Sequence, residues 1–141
     1  MIRPLLEKDL KFIASVKDID FSDGWDLKML TSSFNSNNLL GFTVIEDSPI
    51  AFITYSQTGD SVDIFDVYVL EEYRKKGYAD KLISLVEDSV KEDGATKILL
   101  EVKEDNEKAI NLYIKKGYKK ISERKKYYAD GKTAIIMLKE I

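Results

Sequence analysis

Apolar positions along this chain change their period in a regular order, from two to three-or-four and back again. Residues 64–70, Ile-Phe-Asp-Val-Tyr-Val-Leu, are rich in β-branched and aromatic side chains and predict a half-buried strand within a 61–70 segment. After a short break, Ala79, Leu82, Ile83, Val86 and Val90 recur at helical spacing. Asp80, Lys81, Glu87, Asp88 and Lys91 lie mostly off that stripe, so a helix over 79–93 is expected, stopped before Gly94. The alternation then repeats, with a strand over 97–103 and a helix over 106–116 backed by Gly117. Upstream, a short strand ends at Pro4 and is followed by a helix over 6–16 with Leu6, Leu10, Ile13 and Ala14 on one side. A second helix over 25–34 carries Leu27, Leu30 and Phe34 in register. A hairpin of 39–46 and 50–56 turns at Asp47-Ser48-Pro49. Strands near 118–127 and 133–138 close the chain. The strand–helix–strand run from 61 to 103 implies a right-handed crossover between parallel neighbours. The pattern predicts a mixed α/β sheet with helices on both faces, built as one domain over residues 1–141.

Composition narrows the chemistry by what it lacks. The chain has no cysteine, which excludes disulfides and a cysteinyl acyl-enzyme, and permits a reducing cytoplasm. It has no histidine, which removes the commonest general base, the Ser-His-Asp triad and most zinc sites. Acid–base work must therefore fall to carboxylates, tyrosines, lysines or water, and no metal is expected. A net charge of −3 argues against broad nucleic-acid binding and suits a basic peptide partner. No signal peptide and no apolar run long enough to cross a membrane is visible, so the expected location is cytoplasmic.

Between the 61–70 strand and the 79–93 helix stands Arg74-Lys75-Lys76-Gly77-Tyr78-Ala79. Small residues at 77 and 79 let a ligand approach the backbone, and the free N–H groups of a first helical turn suit a phosphate. Three cations add charge to the same spot. A strand-to-helix turn needs glycine anyway, and a basic run is commonly a solvated face. The turn is neither a P-loop, since no Gly-Lys-Ser/Thr follows, nor the three-glycine dinucleotide fingerprint.

The C-terminal half adds Leu100-Glu101-Val102, Asn106, Ala109-Ile110, Leu112-Tyr113 and Gly117-Tyr118. The tail adds Arg124, Tyr127-Tyr128, Asp130-Gly131 and Ala134-Ile135-Ile136-Met137. With the basic turn, which satisfies the Gln/Arg-x-x-Gly-x-Gly/Ala phosphate loop, this chain resembles the GNAT superfamily of acetyl-CoA-dependent N-acetyltransferases. It is similar above all to the RimI branch, which acetylates the N-terminal alanine of a small-subunit ribosomal protein. The resemblance is specific from about residue 61 to the end. It departs from the branch at Glu71, Asp80, Asp105, Gly24-Trp25 and the short link between Tyr128 and Asp130.

The resemblance implies a centrally splayed GNAT-like sheet of about seven strands, and acetyl-CoA as cosubstrate. It implies that Val67, Tyr68 and Val69 hold the pantetheine arm through their main chain. Residues Arg74, Lys75, Lys76, Gly77, Tyr78, Ala79 and Asp80 hold the pyrophosphate, and Asn106 contacts the pantetheine. Glu101 matches the general base and Tyr113 the donor of a proton to the departing thiolate. Arg124, Tyr127 and Tyr128 help to frame the acceptor. Residue chemistry alone leaves alternatives beside each role. Glu101 also reads as an exposed carboxylate at a sheet margin, Tyr113 as a packed core tyrosine, and Asn106 as a helix cap. The implied function is direct acetyl transfer to a primary amine, the α-amine of a ribosomal-protein N-terminus. The alternatives are another amine acceptor (lysine, polyamine or amino acid) or a non-catalytic acyl-CoA-binding or ribosome-interacting module. No basic partner surface is evident outside the 74–76 turn.

Overall fold

The computed structural model describes residues 1–21 and 24–141. The architecture is a mixed α/β sheet of seven strands with helices on both faces, ordered β1-β2-β3-β4-β5-β7-β6. The strands are β1 (Ile2–Pro4), β2 (Leu40–Ile45), β3 (Pro49–Thr58), β4 (Ser61–Val69), β5 (Lys97–Lys103), β6 (Lys119–Arg124) and β7 (Ala134–Glu140). The helices are α1 (Leu10–Val16), α2 (Leu27–Asn35), α3 (Tyr78–Glu92) and α4 (Glu107–Lys115). The fold gathers into two compact units, residues 1–56 with 66–86, and residues 57–65 with 87–141.

In the first unit, β1, β2 and β3 form an antiparallel meander, with Ile2 opposite Val44 and Gly41 opposite Thr54. A Cβ at Gly41 would lie 2.2 Å from the Ile53 carbonyl oxygen, so only glycine fits there. Helices α1 and α2 bury Leu10, Ile13, Val16 and Leu30 with Leu5, Leu39 and Phe52. The expected 6–16 helix is divided. Glu7–Asp9 form a 3-10 turn ahead of α1, and Leu6 is 43% exposed while Leu5 takes the buried place. The cause is Asp9, whose carboxylate accepts from the Leu6 amide at 2.8 Å, Arg3 at 2.6 and 2.8 Å, and Thr43 at 3.1 Å. A single π turn, Lys17–Phe21, follows α1, and buried Lys17 pairs with Asp66 at 2.5 Å. The second helix also shifts: Leu27 is exposed and Leu30 alone of the three stripe residues is fully buried.

In the second unit, Ser61–Ile64 of β4 pair in parallel with Lys97–Leu100 of β5, and that register ends at Ile64 and Leu100. β5 then pairs antiparallel with β7, and β7 with β6. Ile98, Leu100 and Val102 are buried, as are Met137, Tyr113 and Tyr118, whereas Glu101 is exposed, as strand alternation predicts. Inside this core the Tyr118 hydroxyl donates to Glu87 at 2.9 Å, and Lys139 donates to the same oxygen at 3.0 Å. β6 is shorter than the expected strand near 118–127, whereas β7 runs past the expected 138. β6 stops at Arg124, because Lys126 takes a left-handed conformation, φ 52°, that leaves the extended geometry of a strand.

Candidate active site

Glu101 is the first residue of β5 beyond the last parallel pair with β4. Its neighbours come from the other side of β5. The register sets Glu101 opposite Ile136, which is opposite Ser122; the next same-face row is Lys103, Ala134 and Arg124. Arg124 therefore stands on the same sheet face as Glu101, two strands away from β5, at roughly 10 Å by strand spacing. The link from β6 to β7 folds back over this face. The Tyr128 hydroxyl donates to a Glu101 carboxylate oxygen at 3.1 Å. Tyr127 packs edge-on against Tyr128, centroids 5.3 Å apart, and the Arg124 guanidinium lies 5.3 Å from the Tyr127 ring. Glu101, Arg124, Tyr127 and Tyr128, singled out separately along the sequence, form one cluster.

The same link is fastened to β5 by contacts the sequence reading did not anticipate. Lys103 pairs with Asp130 and lies 5.4 Å from the Tyr128 ring centroid. Thr133 donates its amide to Glu104 at 2.8 Å, and Lys132 approaches Asp105 at 3.5 Å. Strand alternation placed Lys103 beside Glu101, a signal for part of this network. The partner Asp130 was visible only as half of the Asp130-Gly131 pair in the tail. The electrostatics follow the contacts. Burial, and then the adjacent Glu101 carboxylate, push the Tyr128 phenol well above the ordinary tyrosine value, so it stays a hydrogen-bond donor at neutral pH. The hydrogen bond to Asp130 raises the Lys103 ammonium, and the same bond holds the Asp130 carboxyl below its usual range.

Tyr113 and Asn106 belong to this second unit too. Asn106 caps α4, its side-chain oxygen accepting from the Ala109 amide at 3.3 Å. Tyr113 is 9% exposed and meets Tyr118 edge-on at 5.9 Å, so the packed-tyrosine role is real.

The basic turn lies in the first unit. Gly77 has φ 82°, a conformation that side chains rarely adopt, and no atom lies within 4 Å of where its Cβ would be. The backbone there is open to an approaching group. The Lys81 amide bonds to the Gly77 carbonyl at 3.0 Å, so α3 starts here and its earlier amides precede the first helical bond. Lys75 also adopts a left-handed φ of 64°. Arg74 does not simply add charge. Its Nε donates to the Val69 carbonyl at 2.7 Å and its guanidinium lies 5.5 Å from the Tyr68 ring, bracing the turn against the end of β4. Lys76 lies 5.6 Å from the Tyr73 ring. Tyr78 reaches Glu46 at 3.3 Å, so its hydroxyl points to the β2–β3 turn. An open glycine, a helix start and the two lysines that precede the glycine fit a phosphate-bearing cosubstrate.

Comparison with known proteins finds a family and relatives for this chain. The model of the acetyltransferase (GNAT) family matches residues 10–118. An N-alpha-acetyltransferase of Saccharolobus solfataricus is 43% identical over 79 residues, which are 55% of this chain and 47% of that protein. The chain thus spans about half the length of that archaeal relative. A [ribosomal protein bS18]-alanine N-acetyltransferase of Haemophilus ducreyi is 27% identical over 97% of both chains. The crystal structure of the ribosomal-protein-S18-alanine N-acetyltransferase from Escherichia coli superposes with a TM-score of 0.85 at 27% identity, covering 100% of this chain and 93% of that one.

Proposed function

The chain belongs to the acetyltransferase (GNAT) family, and we propose that it moves an acetyl group from acetyl-CoA to the α-amine of an N-terminal alanine on a small-subunit ribosomal protein. The observation that carries this reading is the Glu101–Tyr128 pair, an exposed carboxylate held by a tyrosine of a lip that also bears Arg124 and Tyr127. The near-complete alignment with the Haemophilus ducreyi protein supports the choice of acceptor.

The chemistry asks for a free amine. An α-amine, with a pKa near 7.7–8.0, is roughly a tenth neutral at pH 7, whereas a lysine side chain near 10.4 is almost wholly charged. Glu101 accepts the proton that the acceptor nitrogen must lose, directly or through one water, as that nitrogen bonds to the acetyl carbonyl carbon. The carbon–sulfur bond breaks, and the Tyr113 hydroxyl gives a proton to the departing thiolate. Thiols have a pKa near 8.5, so this second transfer contributes less than the first. The main chain of Val67, Tyr68 and Val69 would hold the pantetheine arm, with Asn106 contacting it. Lys75, Lys76, Gly77, Tyr78, Ala79 and Asp80 would hold the pyrophosphate, and Arg74 supports that turn. The activated acetyl group is what acetyl-CoA supplies.

The test is mass spectrometry on three acceptors offered with acetyl-CoA: an alanine-initiated peptide, the same peptide N-terminally blocked but containing lysine, and a polyamine. Acetylation of the free α-amine alone is expected. Equal modification of the blocked peptide on lysine, or reaction of the polyamine only, overturns the acceptor assignment.

A further inference from the structure

Glu101 and Lys103 are successive outward-facing residues of β5, about 7 Å apart along the strand. The link from β6 to β7 closes a tight turn beside them. The Gly131 amide bonds to the Tyr128 carbonyl at 2.9 Å and the Tyr128 amide to the Lys132 carbonyl at 3.2 Å. The Asp130 carboxylate accepts from the Lys132 amide at 2.9 Å, so residues 128–132 are joined into one piece. Lys103 grips that piece twice, through its ion pair with Asp130 and through the Tyr128 ring, whose centroid lies 5.4 Å from the ammonium. At the tip of the same ring the Tyr128 hydroxyl donates to Glu101 at 3.1 Å. The ties from Thr133 to Glu104 and from Lys132 to Asp105 lie toward the β7 end of the link.

The ordinary role for Lys103 is that of a surface ion pair. Its side chain is 37% exposed and that of Asp130 44%, so solvent screens the pair and its contribution to folding is small. A contact that does little for folding can still fix where a reacting group stands. We propose that Lys103 is a positioning residue for acetyl transfer: by holding Asp130 and the Tyr128 ring, it keeps the Tyr128 hydroxyl on Glu101 and so orients the general base. This role rests on the reading of Glu101 as that base. Lys103 acts through Tyr128 rather than on the reacting atoms. Two substitutions isolate the ammonium. Lys103→Met keeps the apolar stem and releases both grips at once, whereas Lys103→Arg keeps a cation that pairs with carboxylates and stacks on aromatic rings. Displacement of a reacting group by about 1 Å costs up to about 100-fold in rate, so kcat in Lys103→Met should fall roughly 10- to 100-fold.

The experiment joins turnover of the alanine-initiated peptide, acetyl-CoA calorimetry and thermal midpoints to one spectroscopic signal. That signal is the phenol-carbon NMR resonance of Tyr128, assigned by its loss in Tyr128→Phe. In Lys103→Met, kcat is expected to fall by the factor above while acetyl-CoA affinity and the thermal midpoint stay at wild type. Lys103→Arg should recover most of the lost turnover. Adding Lys103→Met to Tyr128→Phe should lower kcat no further, because the two residues act in one path and their effects do not add. Glu101→Gln should move the Tyr128 resonance in the wild-type background but not in Lys103→Met, where the hydroxyl has left the carboxylate. An equal movement in both backgrounds, full multiplication of the two losses in kcat, or a loss of turnover matched by a lowered thermal midpoint overturns the proposal. Wild-type turnover in Glu101→Gln, with the resonance still uncoupled by Lys103→Met, counts against the general-base reading alone and leaves the positioning contact standing.

Discussion

At the residue scale, the proposed role of Glu101 as general base leans on the 3.1 Å bond that Tyr128 donates to it. A surface glutamate with no task gains little from such a partner. A general base gains orientation from it. Changing Glu101→Gln keeps the shape and the hydrogen-bond acceptor but removes the basic oxygen. Turnover is expected to fall roughly 10²–10⁴-fold at neutral pH, with acetyl-CoA affinity by calorimetry unchanged. The substitution also removes the negative charge that opposes ionisation of Tyr128, so the phenol pKa falls, while burial, the larger cause, still holds it above the ordinary value. Ultraviolet titration should then show one of the eight tyrosines ionising at a lower pH than in the wild type. Wild-type turnover in the variant would assign the proton transfer to another group or to solvent.

At the element scale, the proposed cosubstrate site is the backbone of the turn between β4 and α3. Gly77 has open space around its missing Cβ, so Gly77→Ala meets no clash, and its cost is conformational. A left-handed φ costs a non-glycine residue about 1 kcal/mol or somewhat more. The expected outcome is a modest loss of thermal stability, with a larger loss of acetyl-CoA affinity as the turn relaxes away from its phosphate-ready shape. Equal affinity in the variant would show that the turn's geometry is unimportant to the ligand. This turn was legible in the sequence because strand, glycine and helix signals are all local. The buried stripe of α3 at Leu82, Ile83, Val86 and Val90 was legible for the same reason. The start of α1 was not. Leu5 and Leu6 are interchangeable as hydrophobes, and the choice between them is made by Asp9, whose partners Arg3 and Thr43 come from β1 and β2. The Lys103–Asp130 pair was hidden likewise, because alternation tells which face a lysine takes but not which loop returns to it. The β6 lysines were all in view as letters. Only the strand order reveals that they occupy an edge.

At the scale of the whole molecule, the charges that limit stability with pH are few and opposite in sign. Burial works against the Asp9 carboxylate, but the hydrogen bonds from Arg3, the Leu6 amide and Thr43 outweigh it and hold its pKa below the ordinary value. Its contribution to stability is therefore full above the unfolded pKa, near 3.9, and is lost as pH falls through the lower folded value. Exposed Glu123 and Asp130 are shifted the same way, yet solvent screening makes their contribution small. On the alkaline side, burial and then Glu87 push the Tyr118 phenol far up. A raised folded pKa gives stability that is full below the unfolded value near 10 and is lost as pH climbs beyond it. Two substitutions separate the limbs. Arg3→Met strands the buried Asp9 charge and is expected to cost about 3–5 kcal/mol at neutral pH, with less further loss on acidification than in the wild type. Tyr118→Phe keeps the ring against Tyr113 and leaves Lys139 on Glu87, so it should flatten the loss above pH 10 while sparing the acid limb. Thermal midpoints measured from pH 3 to pH 11 decide both. An Arg3→Met protein as stable as the wild type at pH 7 would mean that the Asp9 cluster does not hold the first unit together. A Tyr118→Phe protein that still loses stability as steeply above pH 10 would place the alkaline weakness elsewhere.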